Sequence, residues 1–517
     1  MSSPNITIIG AGPGGLASAM LLASAGCRVR VIERRSGPGG RTSTLESNGF
    51  RFDNGPTFFL YPEVLESIFA MCGRELREEV ELTRLDPNYR LVFEEGARLD
   101  ISSDAERLKN ELRRLCPEDA ERFDRYLADN RRKFDAFRPI LESPFQSHLD
   151  LIKLPLRELL PLMRPLTSVD SDLKRFFDDP RIRLAMSFQS KYLGMSPFKC
   201  PSLFTILAFL EHEFGVYHPR GGCGAVTDAM YRVARELGVE FRFSEGVTAI
   251  RFDGRRARAV CTDRDEYPCD ALVINADFAG AMRDLVPDHL RSKWRNERIE
   301  RKKMSCSTFM MYLGVDGQYR DLAHHTIFLA SDYERNLQEI DELHCAPSNP
   351  SIYVHNPSLL DETLAPDGMS SLYVLAPVSH LHPNTDWSTA KLALRERVLD
   401  RLETLGAHDI RARIRTEILR TPETWAQEFK LFKGATFSLA HTLDQMLSFR
   451  PRNRFDELEG VYLVGGGTHP GSGLPVIFQS AKISARLIAE DFELAETWDR
   501  RRAARPRAWP VLAGEGA

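Results

Sequence analysis

The chain begins with a strand-like run that gives way to a helical one. "ITIIG" is a short β-rich stretch that meets glycines, "GLASAMLLASAG" has helical composition and a glycine stop, and "CRVRVIE" resumes alternation. This pattern predicts a strand, helix, strand unit. From about residue 65 to 115 the text is charged and helix-friendly, with a β-like interruption at "YRLVFEEGARLDI". Residues 105 to 215 read as almost continuous helix broken at Pro139, Pro155, Pro165 and Pro180. The α/β rhythm then returns, with a strand meander predicted on either side of Asp253 and Gly254. A second mixed region, Met304 to about Thr424, carries strands such as "STFMMYLGV" and "SSLYVLAPV". Near the end, "GVYLVGGGTHPGSGLPVIFQSAKISARLI" predicts a strand, a glycine turn and a helix beginning near Pro475. Proline suits a first helical turn because the amide hydrogen it lacks would have no partner there.

At 517 residues the chain is long enough for two interleaved domains. Its net charge of -4 and pI near 6.4 give no overall basic field, which argues against nucleic acid as the main partner. The nine cysteines are scattered singly with no CxxC and no Cys/His cluster at metal-ligand spacing, which predicts reduced thiols, no disulfide and no metal. The few residues before "NITIIGAGPGG" carry no secretory n-region and cleavage site, so a cytoplasmic protein is expected. The apolar run Cys200 to Leu210 is far short of the roughly 20 residues a spanning helix needs. Any membrane contact is therefore expected to be monotopic.

Two glycine runs carry the candidate chemistry. Gly10, Gly12, Gly14 and Gly15 follow a strand and open a helix, and Glu33 ends the second strand about twenty residues on. Glycines allow a tight turn and close approach of a pyrophosphate, the helix N-terminus offers free N–H groups, and an acid binds ribose hydroxyls. Further on stand "ERRSGPGGRTST", "RFDNGPTFF", "FGVYHPRGGCGAVTDAM" and "CDALVINAD", and then the closing "GGGTHPGSGLP". The first fingerprint alone does not separate NAD from FAD.

Those later motifs resemble the FAD-binding amine-oxidase-like superfamily, and the closing run together with "TPETWAQEFKLFKGATFSLAHTLDQMLSFRPRNR" is similar to the bacterial-type carotenoid desaturases. The resemblance runs from Ile6 to about Phe492 and implies FAD as cofactor. It places Arg34, Gly40 and Arg41 beside the diphosphate and ribityl chain, Gly55 and Pro56 near the isoalloxazine, Val247 at the adenine, and Ala276 where the chain passes the dinucleotide. Gly466, Thr468, Gly473, Leu474 and Val476 would bring a helix N-terminus to the redox-active end, where negative charge is favoured. The implied fold class is α/β, a Rossmann-like FAD-binding domain interleaved with a mixed-sheet substrate domain and a helical cap. Its expected parts are FAD-binding segments at 1–104, 216–303 and 425–495, a helical cap or membrane-associating region at 105–215, a substrate domain at 304–424 and a basic tail at 496–517.

The implied activity is dehydrogenation of a long acyclic isoprenoid hydrocarbon, with oxygen or a quinone taking the electrons. A carotenoid oxidase, isomerase or squalene-route oxidoreductase of the same family is the enzymatic alternative. A non-catalytic isoprenoid-binding protein on the same fold is the other, and it would lack the complete set of flavin contacts. Glu211 and His212 are the candidate proton acceptors, since either can take a proton if its surroundings tune its pKa. His469 reads equally as a fold-supporting hydrogen-bond partner or as part of the chemistry, and Arg450 and Arg452 as positioning the flavin or sealing the tunnel. The stretches "LIKLPLRELLPLM" and "LFTILAFLEHEFGVY" are candidate walls of an apolar tunnel and a dock on the inner face of the membrane.

Overall fold

The computed structural model describes residues 3–152 and 154–503. A five-stranded parallel sheet sits at its centre, in the spatial order Glu240–Arg242, Arg28–Ile32, Asn5–Ile9, Ala271–Ile274 and Val461–Leu463. The strands come from three remote stretches of chain. Ile9 pairs with Ile32 and Ile274, and Ile274 pairs with Leu463, so four strand ends share one edge. Each strand is short, and apart from Thr7 the buried residues of the sheet are apolar, as a parallel sheet covered on both faces requires. The Pro13–Ser24 and Leu474–Asp491 helices pack against one another on one face. The expected meander on either side of Asp253 and Gly254 is present as the antiparallel strands Val247–Asp253, Arg256–Thr262 and Glu266–Pro268.

A seven-stranded sheet forms the second layer, in the order Ile414–Arg420, Ser307–Asp316, Met369–Val378, Ile352–His355, His325–Leu329, Tyr89–Phe93 and Arg98–Ile101. The last two strands lie inside the stretch expected to be FAD-binding, residues 1–104. Tyr89–Phe93 joins this seven-stranded sheet by parallel pairing with His325–Leu329, more than two hundred residues away. Local periodicity shows the hairpin and is blind to that partner.

The 105–215 region is helical but more broken than expected. Pro139 ends nothing, because the helix Pro117–Glu142 absorbs it near its last turn. Pro180 instead opens a helix, with Asp179 accepting from the Arg181 amide at 2.7 Å. The expected basic tail is also partly ordered, since Ala495–Arg502 is a helix whose Trp498 is buried in the core. Residues 504–517 of that tail lie outside the described residues.

Buried polar groups tie the cap down. The Lys133 ammonium, fully buried, donates to Asp172 at 2.7 Å and to the Thr205 hydroxyl at 2.9 Å. Arg164 joins Asp129 to Asp172 at 2.5 and 3.0 Å. Glu211, near the end of the Ile206–Phe214 helix, accepts from the Tyr89 hydroxyl at 2.7 Å and from Gln189 at 3.1 Å. This links the cap to the seven-stranded sheet.

Burial pushes the Glu211 carboxyl up from 4.5 to about 7. A raised carboxyl stabilises the fold most below pH 4.5, and that stability is lost as pH rises through about 7. Glu211→Gln keeps the shape and cannot ionise. The variant should therefore gain on the parent chain between pH 5 and pH 8, by a span on the order of 3 kcal/mol. Thermal or urea unfolding at the two pH values measures it, and parallel curves for the two proteins would show that Glu211 does not titrate in this range.

Candidate active site

One cavity of about 600 Å³ runs from the edge of the parallel sheet to the face of the seven-stranded sheet. Gly10 and Gly12 line one end because the strand turns sharply there. Gly10 has φ +97°, and a Cβ on it would stand 2.4 Å from the Asn275 carbonyl oxygen. Glu33 holds the same loop, accepting from the Ala11 and Arg35 amides at 2.8 Å each. Each carboxylate oxygen keeps a further lone pair for a ribose hydroxyl.

Of the expected cofactor residues, Gly10, Gly12, Glu33, Arg34, Gly40, Arg41, Gly55, Pro56, Val247, Ala276, Gly466, Gly473 and Leu474 line this cavity. Gly14, Gly15, Thr468 and Val476 do not. Gly14 and Gly15 serve the packing beneath it. A Cβ on Gly15 would lie 2.1 Å from the Gly10 carbonyl oxygen, and one on Gly14 would lie 2.6 Å from Val464. Thr468 is buried inside the closing turn, its amide donating to Gly465 at 3.1 Å.

The closing run is fixed from below. Arg450, fully buried and pushed down to about 9 by burial, donates to the carbonyls of Gly466 at 2.6 Å and Leu439 at 3.0 Å. The Ser472 amide donates to His441 at 3.2 Å. His469 faces the Ser143 carbonyl at 3.1 Å and Arg452 donates to the Gln146 carbonyl at 2.8 Å, so both support the fold. Gly473 caps the Leu474–Asp491 helix with φ +110° and has open space where a Cβ would be.

The parts fit a flavin dinucleotide. Two helix N-termini, those of Pro13–Ser24 and Leu474–Asp491, open on the same cavity with Arg34, Arg35 and Arg41 on its wall. FAD needs that distribution, with amide donors and cations at a diphosphate and a helix end at the ring. Asn275, Asp277 and Thr57 also line the cavity and were not singled out in the sequence. The Asn275 amide donates to the Gly10 carbonyl at 3.1 Å, a contact that only the pairing of remote strands creates.

Beyond Gly55 and Pro56 the walls turn apolar and aromatic, with Phe58, Phe188, Tyr192, Ile327, Leu329 and Phe437. Neither candidate proton acceptor is on this wall. Glu211 lies behind Tyr192, whose ionisation its charge opposes. His212 faces the Ser102 carbonyl at 3.3 Å and meets Phe123 edge-on, and burial lowers its pKa.

The flavin containing amine oxidoreductase family matches residues 13–489. Over 491 residues the chain is 42% identical to the 4,4'-diapophytoene desaturase (4,4'-diapolycopene-forming) of Methylomonas sp, covering 95% of this chain and 96% of that one. Over 488 residues it is 36% identical to the phytoene desaturase (lycopene-forming) of Pantoea ananas, covering 94% and 99%. Among solved structures, an oxidoreductase from Methanosarcina mazei aligns with a TM-score of 0.62 at 18% identity, over 94% of this chain and 100% of that one, a likeness of fold. The chain belongs to the flavin-containing amine oxidoreductases, among the carotenoid desaturases of that family, and is an FAD-dependent oxidoreductase.

Proposed function

We propose that this protein dehydrogenates a long acyclic isoprenoid hydrocarbon of the phytoene or diapophytoene kind. The observation that carries the reading is the lining of this cavity, where the flavin end opens into an apolar gallery bounded by Phe58, Phe188, Ile327 and Leu329. A polyene without polar groups gains only from such walls. The likeness to two desaturases over nearly the whole chain supports the same substrate class.

FAD supplies the hydride acceptor when bound. The protein's part is to lay the chain against Gly55 and Pro56 and exclude water. Loss of a hydride from one allylic carbon and a proton from its neighbour leaves a new conjugated double bond; the hydride and, in the overall balance, the proton pass to bound FAD, and the electrons with their protons go on to oxygen or a quinone. Glu211 does not line the cavity and bonds to Tyr89 and Gln189, so its role in this reading is to brace the wall from behind. His212 has none.

The same reading includes a peripheral membrane contact, because the substrate class resides in lipid. Among the described residues no helix is long and apolar enough to cross a membrane. Large apolar side chains instead stand exposed near the cap, with Ile152 at 73% and Leu166 at 96% beside Leu149 and Leu160. Phe449, also exposed, packs its ring 5.2 Å from His148, next to Leu149. Exposed large apolar side chains on neighbouring segments of one region are the kind of surface that inserts at a lipid interface.

Three outcomes are expected. Co-expression with a thirty-carbon or forty-carbon precursor synthase should shift absorbance stepwise to longer wavelength. Absence of a shift with both precursors would sink the desaturase reading. Gly473→Leu should leave the protein folded by circular dichroism and strip FAD by about tenfold or more, since its side chain would enter the cavity from a strained backbone. Unchanged flavin content would remove the closing run from the site. Replacing Leu149, Ile152 and Leu166 together by serine should cut sedimentation with phosphatidylethanolamine and phosphatidylglycerol vesicles by about tenfold or more, and equal binding would place the contact elsewhere.

A further inference from the structure

Behind the cavity wall lies a group of histidines that neither the flavin nor the polyene explains. His218 comes from the "FGVYHPRGG" stretch, His324 and His325 from the start of one strand of the seven-stranded sheet, and His355 from the end of its neighbour. All four are buried. One ring nitrogen from each of His218, His324 and His355 lies within 4.8 Å of the other two. The rings of His324 stand 4.9 Å from those of both His218 and His355, centre to centre.

These imidazoles are under-used as hydrogen-bonding groups. His218 Nδ1, both nitrogens of His324 and His355 Nε2 are buried with no partner in the protein. An unpaired buried polar atom is costly, and four in one place ask for a common partner. The surrounding contacts point to a cation. His218 Nε2 donates to Asp361 at 2.9 Å, which fixes the tautomer and leaves the Nδ1 lone pair free. Asp361 is itself held by the Gly221 amide at 2.6 Å. Asp53, also buried, packs against Gly222 in the turn that follows His218. One carboxylate thus bonds a ring of the group and a second stands at the neighbouring turn, which together would balance a charge of two.

We propose that His218, His324 and His355 form a binding site for one divalent transition-metal ion of the zinc class, with Asp361 orienting His218. Imidazole nitrogens suit such ions, and a carboxylate behind a ligating histidine is their usual support. A tetrahedral ion with bonds of about 2.0–2.1 Å sets its ligand atoms about 3.3 Å apart. The three rings therefore close inward by up to about 1.5 Å when the ion enters. Water completes the fourth position.

The site would staple two layers of the molecule. His218 belongs to the strand that leads into the Gly221–Gly222 turn, against which Asp53 packs, whereas His324 and His355 belong to the substrate sheet. His325 connects the cluster to the cavity, since its Nδ1 meets the Tyr353 hydroxyl at 2.7 Å and that hydroxyl meets Thr57 at 2.7 Å. The ion would hold the wall of the active site from behind without entering it.

The test uses the FAD-loaded, full-length protein prepared without a histidine tag. It is incubated with Zn²⁺ or Co²⁺, dialysed, and assayed for metal by mass spectrometry, with Co²⁺ d–d absorption read at wavelengths beyond the flavin bands. About one equivalent of metal per chain is expected. His324→Ala and His355→Ala should weaken Zn²⁺ binding by more than about 100-fold, and Asp361→Asn by about 10- to 100-fold. His344→Ala should bind as the parent chain does, although its ring also stacks on a second histidine, His382, at 4.4 Å. Should the cluster variants fail to keep FAD, titration of the parent chain alone decides. No bound equivalent and no d–d bands in the parent chain, or metal retained by the His324 and His355 variants, would show that the rings are bridged by water alone. Loss of metal in His344→Ala would mark the binding as adventitious and overturn the assignment.

Discussion

The register of one small parallel sheet is the constraint on which the molecule depends. Ile9, Ile274 and Leu463 end side by side, and at each end the chain leaves the sheet into a loop that bounds the cavity. Open α/β sheets bind ligands at this carboxyl edge, where helix N-termini and unpaired amides converge. The two glycine runs of the sequence are therefore neighbours in space because their strands are. A slip of the Ala271–Ile274 strand would carry Asn275 off the Gly10 carbonyl, and a slip of the Val461–Leu463 strand would carry Gly466 off Arg450, so each would cost the dinucleotide one part of its cradle.

Rigid support of the closing run follows the same logic. A helix end stabilises charge only if it stays where the charge develops. The run has too many glycines to hold itself, so its geometry is imposed by neighbours. Arg450 takes the Gly466 carbonyl, His441 takes the Ser472 amide, and Asn453 donates to the His469 carbonyl at 3.0 Å. Burying the Arg450 guanidinium lowers its pKa to about 9, so the cation persists at neutral pH and stays bound to carbonyl oxygens.

Much of this was legible from the chain alone, and the limits have a physical pattern. The opening strand, helix and strand, Glu33 and the closing helix near Pro475 are local features, written in periodicity and caps, and the structure has them where they were expected. Gly14 and Gly15 belonged to the motif but not to the cavity, because the motif serves helix packing as well as ligand approach. The Tyr89–Ile101 hairpin was assigned to the wrong layer, since pairing with His325–Leu329 leaves no local trace. Asn275 and the histidine cluster escaped for the same reason. His218, His324 and His355 have no ligand spacing in sequence, and only folding brings them within reach.

The distribution of polar groups explains how a chain so rich in charge keeps a dry reaction chamber. Glu211, Tyr89 and Gln189 form one hydrogen-bonded group, Lys133 with Asp172 a second, and the histidines with Asp361 a third. Each stands one side chain behind the surfaces that face the polyene gallery or within the cap that covers it. Charges there stiffen the walls through directional bonds, whereas the same charges on the lining would hold water and compete with an apolar substrate. Apolar rings such as Phe58 and Tyr192 form the boundary, with Phe58 stacked on His325 at 4.2 Å and in contact with Tyr192 at 5.6 Å. The cofactor can then carry the redox step while the protein supplies shape and exclusion of water, with Glu211 and the buried histidines set behind the wall and Lys191 as a charged side chain among its apolar residues.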